Sequence, residues 1–502
     1  MKRSYLHIAL AILGVVALLA GLALVGVFYR AGQPALALTA LAVVGMAVWI
    51  YLSPRFYAWR YVVPGVLAVI VFIVLPMTYT LVIGFTNYSS AHLLSFERAT
   101  QVLLDRSDAS GESYAFKLYA VRDGHRLVFT ADDDSNLTSE TFTLGKTKKL
   151  PIVPLAGEPE GTALKIKEVI ALQPSLQDVV ATTPDGKELR MSSLRRFSVM
   201  KPAFARNADG TLKDTANGEI LKADHKAGFW TRPDGTTEQP GFRVYVGWQN
   251  YVSIFTDHRF FEPFARVFGW TVSFAAFNTF LTFGLGILLA TALNWDALRF
   301  RNFYRMMLFL PYAVPAFISI PVFRGLFNEN LGEINMVIDM LFGVRPGWFS
   351  DATLARTMVL IVNTWLGYPY MMILCMGLIK AIPGELYEAS ALAGAGPLMN
   401  FFRITLPLIA RPIAPLLIAS FVFNFNNLTL IALLTGGAPD YLDTQVPVGA
   451  TDLLASYTYR IAFQDSGQNY ALACAISSIV FLIVATLAVV NLRLFKVNKE
   501  TV

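Results

Sequence analysis

The sequence predicts a polytopic α-helical membrane protein of about eight transmembrane helices, with a large β-rich domain inserted after the third. Three observations carry this. Of 502 residues, 55% are hydrophobic and only 15% charged, where a soluble chain carries roughly 25% charged residues. Apolar runs long enough to cross a bilayer recur along the chain. Between the third and fourth of these, over residues 87–260, the character changes to charges of both signs, Gly-Pro turns and two-residue alternation.

Taken in order, Lys2 and Arg3 precede an apolar run over about residues 6–28. It is longer than the roughly 7–15 apolar residues of a signal peptide, so it reads as a retained helix. Runs follow at about 35–52 and 62–85, with the short basic loop Ser53-Pro54-Arg55 to Arg60 between them. In the inserted segment, Tyr114 to Val121, Arg126 to Ala131, Leu164 to Ala171 and Asp178 to Thr183 read as strands. Pro184-Asp185-Gly186 and Pro233-Asp234-Gly235 read as turns, since proline presets φ and glycine accepts a positive one. Gly145-Lys146-Thr147 ends like a phosphate loop, but Glu140 stands where the first glycine is required, so nucleotide binding is excluded there. With no nucleophile elbow, carboxylate pair or metal spacing, the segment reads as a structural or interaction domain.

Apolar runs return at about 266–293, 303–325, 356–380, 404–434 and 470–492. In the second of these, Leu310-Pro311-Tyr312-Ala313-Val314-Pro315 places two prolines in a span. They bend it and free carbonyls, which a membrane tolerates only beside protein or water; a packing kink and a pathway role both remain open. Short-loop charge sets the orientation. With the N-terminus inside, the inner loops hold Arg55, Arg60, Arg299, Arg301, Arg305, Lys380, Arg403, Arg493, Lys496 and Lys499. The outer short loops hold little beyond Arg30, Arg345 and Arg460. An even number of spans then puts both termini in the cytoplasm, residues 87–260 outside and the loop after residue 380 inside.

Other chemistries find no support. The net charge of +6 comes with no basic block interleaved with aromatics, so no nucleic-acid partner is expected. The only cysteines, Cys375 and Cys474, lie inside apolar runs, and the five histidines are scattered. No disulfide framework or metal site follows from them.

Glu388 to Pro407 (EASALAGAGPLMNFFRITLP) organises the second half of the chain. A helix-favouring run breaks at Gly394-Ala395-Gly396-Pro397, and a short amphipathic run from Met399 to Leu406 meets Pro407. Glycine and proline end helices and supply turns, so this is a helix–turn–helix elbow outside the bilayer. In the span that follows, Ser420, Phe423, Asn424 and Asn427 stand at i, i+3, i+4 and i+7, on one face of a continuous helix. In the span before, Asn363, Gly367 and Tyr370 repeat the spacing i, i+4, i+7. Amides at membrane depth are costly unless paired or wet. They can hydrogen-bond sugar hydroxyls beside aromatic faces, or they can bond one helix to another.

Several motifs resemble one family. Glu388, Ala389, Gly394, Ile404, Leu406 and Pro407 are spaced as in the EAA loop of ATP-binding-cassette (ABC) importer permeases, with Ala393 where that family often has Asp. Gly247-Trp248-Gln249-Asn250-Tyr251 and Leu434-Thr435-Gly436-Gly437-Ala438-Pro439 look like carbohydrate-uptake permeases. The outer insertion, Asn363 to Met371 (NTWLGYPYM) and Ser420 to Asn427 narrow the resemblance to permeases for maltose and maltodextrins, over essentially the whole chain.

That resemblance implies three N-terminal helices over 1–86, an immunoglobulin-like periplasmic unit over 87–260, and a permease core over 261–502 with the coupling loop at 381–411. It implies a sugar site lined by Gly367, Tyr370, Ser420, Phe423, Asn424, Asn427 and Tyr312, and ATPase coupling through Glu388, Ala389, Ser390, Gly394, Ala395 and Pro407. The implied setting is the bacterial inner membrane. The implied partners are membrane lipid, a second homologous permease, an ATPase subunit dimer, a periplasmic maltose-binding protein and the sugar itself. ATP and Mg would stay on the ATPase subunits, so the chain itself carries no cofactor and no catalytic residue. The alternatives are an importer for another sugar such as trehalose, an ion-coupled secondary transporter, and a membrane-anchored sensor or enzyme. Secondary transporters usually carry ionisable residues within spans, where this chain has Asn and Ser.

Overall fold

The computed structural model describes residues 2–32, 34–130, 136–145, 149–155, 157–295 and 297–494. Ala131, Lys146, Thr147, Lys496 and Lys499, named above, lie outside them. Residues Met1–Val82 and Ile83–Val502 form two units.

The first unit holds α1 (Lys2–Arg30), α2 (Pro34–Leu52) and α3 (Trp59–Val69), followed by a π-helical turn, Ile70–Val74. α1 packs on α2 where Gly21 admits Val44: a Cβ on that glycine would stand 2.8 Å from Val44 Cγ2. In the π turn the Leu75 N–H bonds the Ile70 carbonyl, five residues back, immediately before Pro76. Proline has no N–H, and its ring crowds the carbonyl four residues earlier; a widened turn relieves that crowding. α4 (Leu75–Gly84) completes the span.

In the second unit, α5 (Phe96–Asp105) leads into β1 (Ser107–Val121), β2 (Gly124–Thr130), β3 (Asn136–Ser139), β4 (Lys149–Pro154) and β5 (Thr162–Ala163). α6 (Ile166–Gln177), β6 (Val180–Thr182), β7 (Glu188–Ser193) and β8 (Arg196–Pro202) follow. β1 is long enough to pair with β8 over its first part and with β2 over its last. The order β1-β2-β3-β4-β6-β7-β8 therefore returns to β1 and closes around Leu118, Leu127, Phe129 and Phe197. β4 and β6 are parallel, joined by the α6 crossover that a parallel pair needs. This ring corrects the immunoglobulin-like expectation, which implies two antiparallel sheets packed face to face.

A second correction falls on Leu164 to Ala171, read as a strand. Most of it lies in α6, whose first turn is held by Glu168 accepting from the Lys165 backbone N–H at 2.7 Å. Val169 and Leu176, seven residues apart, are the pair it buries. A five-strand meander then runs through β9 (Phe204–Arg206), β10 (Leu212–Asp214), β11 (Ile220–Asp224), β12 (Phe229–Thr231) and β13 (Thr237–Glu238). It closes over Ala99 and Leu103 of α5 through Leu212, Leu221 and Trp230. Arg232 ties its strands together by bonding Asp214, Glu219 and Glu238.

The remaining helices are α7 (Gln249–Thr256), α8 (His258–Leu293), α9 (Arg301–Ala313), α10 (Ala316–Leu326), α11 (Glu333–Phe342) and α12 (Ala352–Lys380). α13 (Gly384–Leu392), α14 (Pro397–Asn400), a π-helical turn Phe401–Thr405, α15 (Leu406–Phe425), α16 (Leu428–Leu434), α17 (Leu454–Phe463) and α18 (Tyr470–Leu494) complete the chain. Within the second unit, Asn250 of α7 donates to the carbonyls of Gly84 and Thr86.

Among the described residues, five helices are long and apolar enough to cross a membrane: Trp59–Gly84, His258–Leu293, Ala352–Lys380, Pro397–Phe425 and Tyr470–Val490. A sixth arises if α9 and α10, bent by 92° across Val314-Pro315, count as one. Shorter apolar helical stretches lie at Gly14–Arg30 and Leu36–Tyr51. The run 404–434 is not one helix. It stops at Phe425 and restarts at Leu428.

Candidate functional site

α8 and α12 approach closely at two glycines. A Cβ on Gly286 would stand 2.7 Å from Met371 Cβ and 2.8 Å from the Met372 backbone nitrogen, and one on Gly367 2.8 Å from Thr282 Cγ2. Small residues at such crossings let helix backbones pack without lipid between them. α15 lies against the same pair, and Ile287, Ala290, Met372, Cys375, Ile409 and Ile413 seal the three helices.

Further along, an uncharged polar cluster replaces the apolar seal. Asn424 of α15 is buried, and its Oδ1 accepts from Asn363 Nδ2 of α12 at 2.8 Å and from Asn278 Nδ2 of α8 at 3.2 Å. Thr364 donates to Asn278 Oδ1 at 3.3 Å, and Asn427 Nδ2 donates to Asn363 Oδ1 at 3.2 Å. Asn424 Nδ2 lies 3.5 Å from both Thr279 Oγ1 and Ser420 Oγ. The amides thus bond helix to helix, one of the two roles their residue type allows.

Asn427 departs from the expected helical face. It sits beyond the end of α15 and caps α16, its Oδ1 accepting from the Leu430 N–H at 3.2 Å. Asparagine suits a cap because its side chain replaces the backbone acceptor that a helix start lacks. The structure therefore brings Ser420, Asn424 and Asn427 into one network, but not along one helix. Gly367 is occupied with the α8 contact. The aromatic members stay open in the single chain: Phe423 is 71% exposed, Tyr312 54% and Tyr370 43%. Tyr312 lies in α9 against Phe309, before the 92° bend. In the proline-loosened turn of α9, the Leu308 carbonyl accepts from Tyr368 OH of α12 at 3.0 Å.

Asn278, Thr279, Thr282 and Thr364 belong to this network and were not singled out from the sequence. The available cue was Asn278 and Thr282 at i, i+4 within the 36-residue α8, the same spacing that marked Ser420 and Asn424.

The elbow forms as expected. α13 ends at Leu392, and Gly394 takes φ +78°, a conformation that side chains disfavour. The Ala395 N–H returns to the Ser390 carbonyl at 3.0 Å, and the Gly394 N–H to that of Ala391 at 2.9 Å. Ser390 Oγ donates to Asn400 Oδ1 at 2.5 Å, and Tyr387 OH bonds Thr405 Oγ1 at 2.9 Å, so α13 is fastened to the start of the next span. Glu388, Ala389 and Pro407 are exposed, as are Leu392, Leu398 and Phe402. The second π turn ends here, with the Leu406 N–H bonding the Phe401 carbonyl immediately before Pro407.

Beyond α16, the Leu434 to Pro439 motif has a structural reason. Gly436 and Gly437 take φ +65° and +96°, and a Cβ on Gly437 would stand 2.5 Å from Arg460 Nη1 and from Asp452 Oδ1. The turn is pressed against a buried ion pair.

Apolar spans bonded to one another by uncharged amides, with a fastened elbow at the far ends of α12 and α15, are those of a polytopic α-helical membrane protein. Residues 282–494 match the binding-protein-dependent transport system inner membrane component family. Residues 94–247 match the maltose transport system permease protein MalF P2 domain. The maltose/maltodextrin transport system permease protein MalF of Escherichia coli K12 is 48% identical over 490 residues, covering 96% of this chain and 95% of that protein. MalF of Vibrio cholerae is 46% identical over 508 residues, covering 99% and 96%. Among solved structures, a chain of a bacterial alginate ABC transporter aligns at TM-score 0.43 and 21% identity over 51% of this chain and 86% of its own, too partial a likeness to add to the family match. The chain belongs to the MalF family of transport system permeases, polytopic proteins of the bacterial inner membrane. Members of that family are non-catalytic transport components, and ATP and Mg reside on a partner ATPase.

Proposed function

We propose that this chain is the permease subunit of an ATP-driven importer that moves maltose and maltodextrins from a periplasmic binding protein into the cytoplasm by alternating access. The match to MalF relatives along nearly the whole of both chains is the observation that carries this reading. The partners are a second, MalG-like permease, a MalK-like ATPase dimer, the maltose-binding protein and the surrounding lipid.

The topology has eight spans, made of six with α9 and α10 counted as one, plus α1 and α2. Both termini lie in the cytoplasm, residues 87–260 in the periplasm, and 261–502 form the permease core. Gly367, Tyr370, Ser420, Phe423, Asn424, Asn427 and Tyr312 line the sugar path. The exposed rings of Phe423, Tyr370 and Tyr312 offer flat apolar faces to a pyranose, and the Asn424 amide and Ser420 hydroxyl supply polar contacts. Glu388, Ala389, Ser390, Gly394, Ala395 and Pro407, in the loop 381–411, seat the chain in its ATPase. ATP closes the ATPase pair, the elbow transmits that motion to α12 and α15, and the path opens outward to receive sugar. Hydrolysis resets it. Nucleotide below and loaded binding protein above each bias one state of the bundle.

The test is co-purification from detergent-solubilised membranes, followed by an ATPase assay with added binding protein. Recovery with a second permease and an ATPase, and hydrolysis stimulated by maltose more than by trehalose, is the expected result. Purification of the chain alone, or stimulation by trehalose only, would reject the reading.

A further inference from the structure

We infer that Asn278 is a positioning residue for the sugar, acting through Asn424 by fixing which end of that amide faces the path. The inference rests on the sugar site proposed above. Asn278 is 1% exposed, and its side-chain amide is engaged at both ends, by Asn424 and by Thr364. Its Nδ2 donates to Asn424 Oδ1 at 3.2 Å, alongside Asn363 Nδ2 at 2.8 Å. A carbonyl oxygen has two lone pairs, so this oxygen is saturated. Among the described residues, the Asn424 Nδ2 end has two long contacts, both at 3.5 Å, to Thr279 and to Ser420. The donor end of Asn424 is therefore the more weakly held one, and it lies on the side of Ser420.

The orientation of Asn278 is itself set. Thr364 Oγ1 donates to Asn278 Oδ1 at 3.3 Å, which leaves the nitrogen end turned to Asn424. Thr282 donates to the Asn278 backbone carbonyl at 2.8 Å and stiffens the same turn of α8. The order Thr364 to Asn278 to Asn424 is a relay of donors with one direction, and it ends in an N–H that a sugar hydroxyl oxygen could take over from its 3.5 Å contact with Ser420. Without Asn278, Asn424 keeps a single fixed bond and its amide is free to reverse, presenting an acceptor where a donor was.

The experiment measures binding of labelled maltose to the assembled transporter in lipid nanodiscs, without binding protein, held with a non-hydrolysable ATP analogue. Four proteins are compared: the parent, Asn278→Leu, Asn424→Ala and the double variant. Asn424→Ala should weaken binding. Asn278→Leu should weaken it about two- to tenfold, the range of one neutral hydrogen bond. In the Asn424→Ala background, Asn278→Leu should add nothing, because the residue acts through that amide. Full additivity, or an unchanged affinity in Asn278→Leu while Asn424→Ala weakens binding, overturns the inference and spares the sugar site. Unchanged affinity in Asn424→Ala overturns the site and the inference with it. If Asn278→Leu does not assemble, Asn278→Ser takes its place in the same cycle, since its shorter side chain falls short of Asn424.

Discussion

Arg460 Nη1 lies 2.7 Å from Asp452 Oδ2, and the two side chains are 8% and 0% exposed. Asp452 is further held by the Gly449 N–H at 2.8 Å and by Ser456 Oγ at 2.7 Å, and Arg460 reaches Asp440 at 2.9 Å. Removing one member of a buried pair strands the other charge, at about 3–5 kcal/mol. Asp452→Ala should sharply lower the thermal midpoint of the purified transporter. Asp443→Ala, which loses an exposed partner of Arg266, should change it little. Equal midpoints for the two variants would contradict this ranking.

Gly286→Ala should cost more stability than Gly367→Ala. The first new methyl meets the Met372 backbone nitrogen at 2.8 Å, which cannot move without shifting α12. The second meets only the Thr282 methyl, at the same distance. Overpacking of this kind costs about 1–3 kcal/mol. Thermal unfolding in detergent reads the order directly.

At the elbow, Gly394→Pro should abolish uptake while the protein remains in the membrane, because proline fixes φ near about −65° and the native value is +78°. Glu388→Lys should do the same by reversing an exposed charge on α13. Uptake assays paired with membrane immunoblots decide it; normal uptake in both variants would remove the elbow from coupling.

Asn424→Ala should reduce transport more than Tyr370→Ala. The tyrosine is exposed and its loss removes one face. Loss of the Asn424 amide also leaves the Asn278 and Asn363 donors unpaired in a buried place, at about 1–3 kcal/mol for each unsatisfied group. Initial uptake rates per assembled complex should rank parent, Tyr370→Ala, Asn424→Ala.

The contact between residues 87–92 and the β11–β12 turn should weaken in acid. His92 Nε2 lies 3.1 Å from the Ala227 carbonyl, which can only accept, so that nitrogen carries the proton. Nδ1 is then the acceptor for Ser89 Oγ at 2.9 Å. Burial lowers the His92 pKa below the ordinary imidazole value, with the Ala227 bond opposing. Between the folded value and the unfolded value of about 6.5, the unfolded chain binds more protons. The stabilisation is therefore complete above that range and is lost as pH falls through it. Amide protection near residues 225–229, taken relative to the intrinsic exchange rate at each pH, should fall on acidification in the parent and stay flat in His92→Gln.

Much of this architecture was readable in the residues, and the failures share a cause. The spans, the inserted β-rich domain and the elbow follow from local properties: apolar length, alternation, and Gly-Pro punctuation at Gly394 to Pro407. What was missed depends on partners distant in sequence. Helical spacing put Asn427 on the α15 face, but nothing local says that its side chain will end one helix and start another. Asn278 lies far in sequence from both Asn363 and Asn424, 146 residues from the latter, so its part in the cluster exists only once α8 crosses α12. Leu164 to Ala171 mixes β-branched and long side chains, and the Glu168 bond to the Lys165 N–H decides for helix. Closure of the ring depends on β1 pairing on both sides, which alternation alone cannot specify.

The two π turns each stop at a leucine followed by proline, Leu75-Pro76 and Leu406-Pro407. Each bond there spans five residues, so the turn holds one residue beyond the α-helical count. In an α-helix one residue is about 100° of rotation. The surplus residue between Phe401 and Thr405 therefore sets the angular phase between the elbow and the side of α15 that carries Asn424. The two ends of this helix are geared, and Pro407 fixes the tooth count. Straightening this turn into a regular helix of the same length would swing the Asn424 side of α15 by about 100° relative to the elbow.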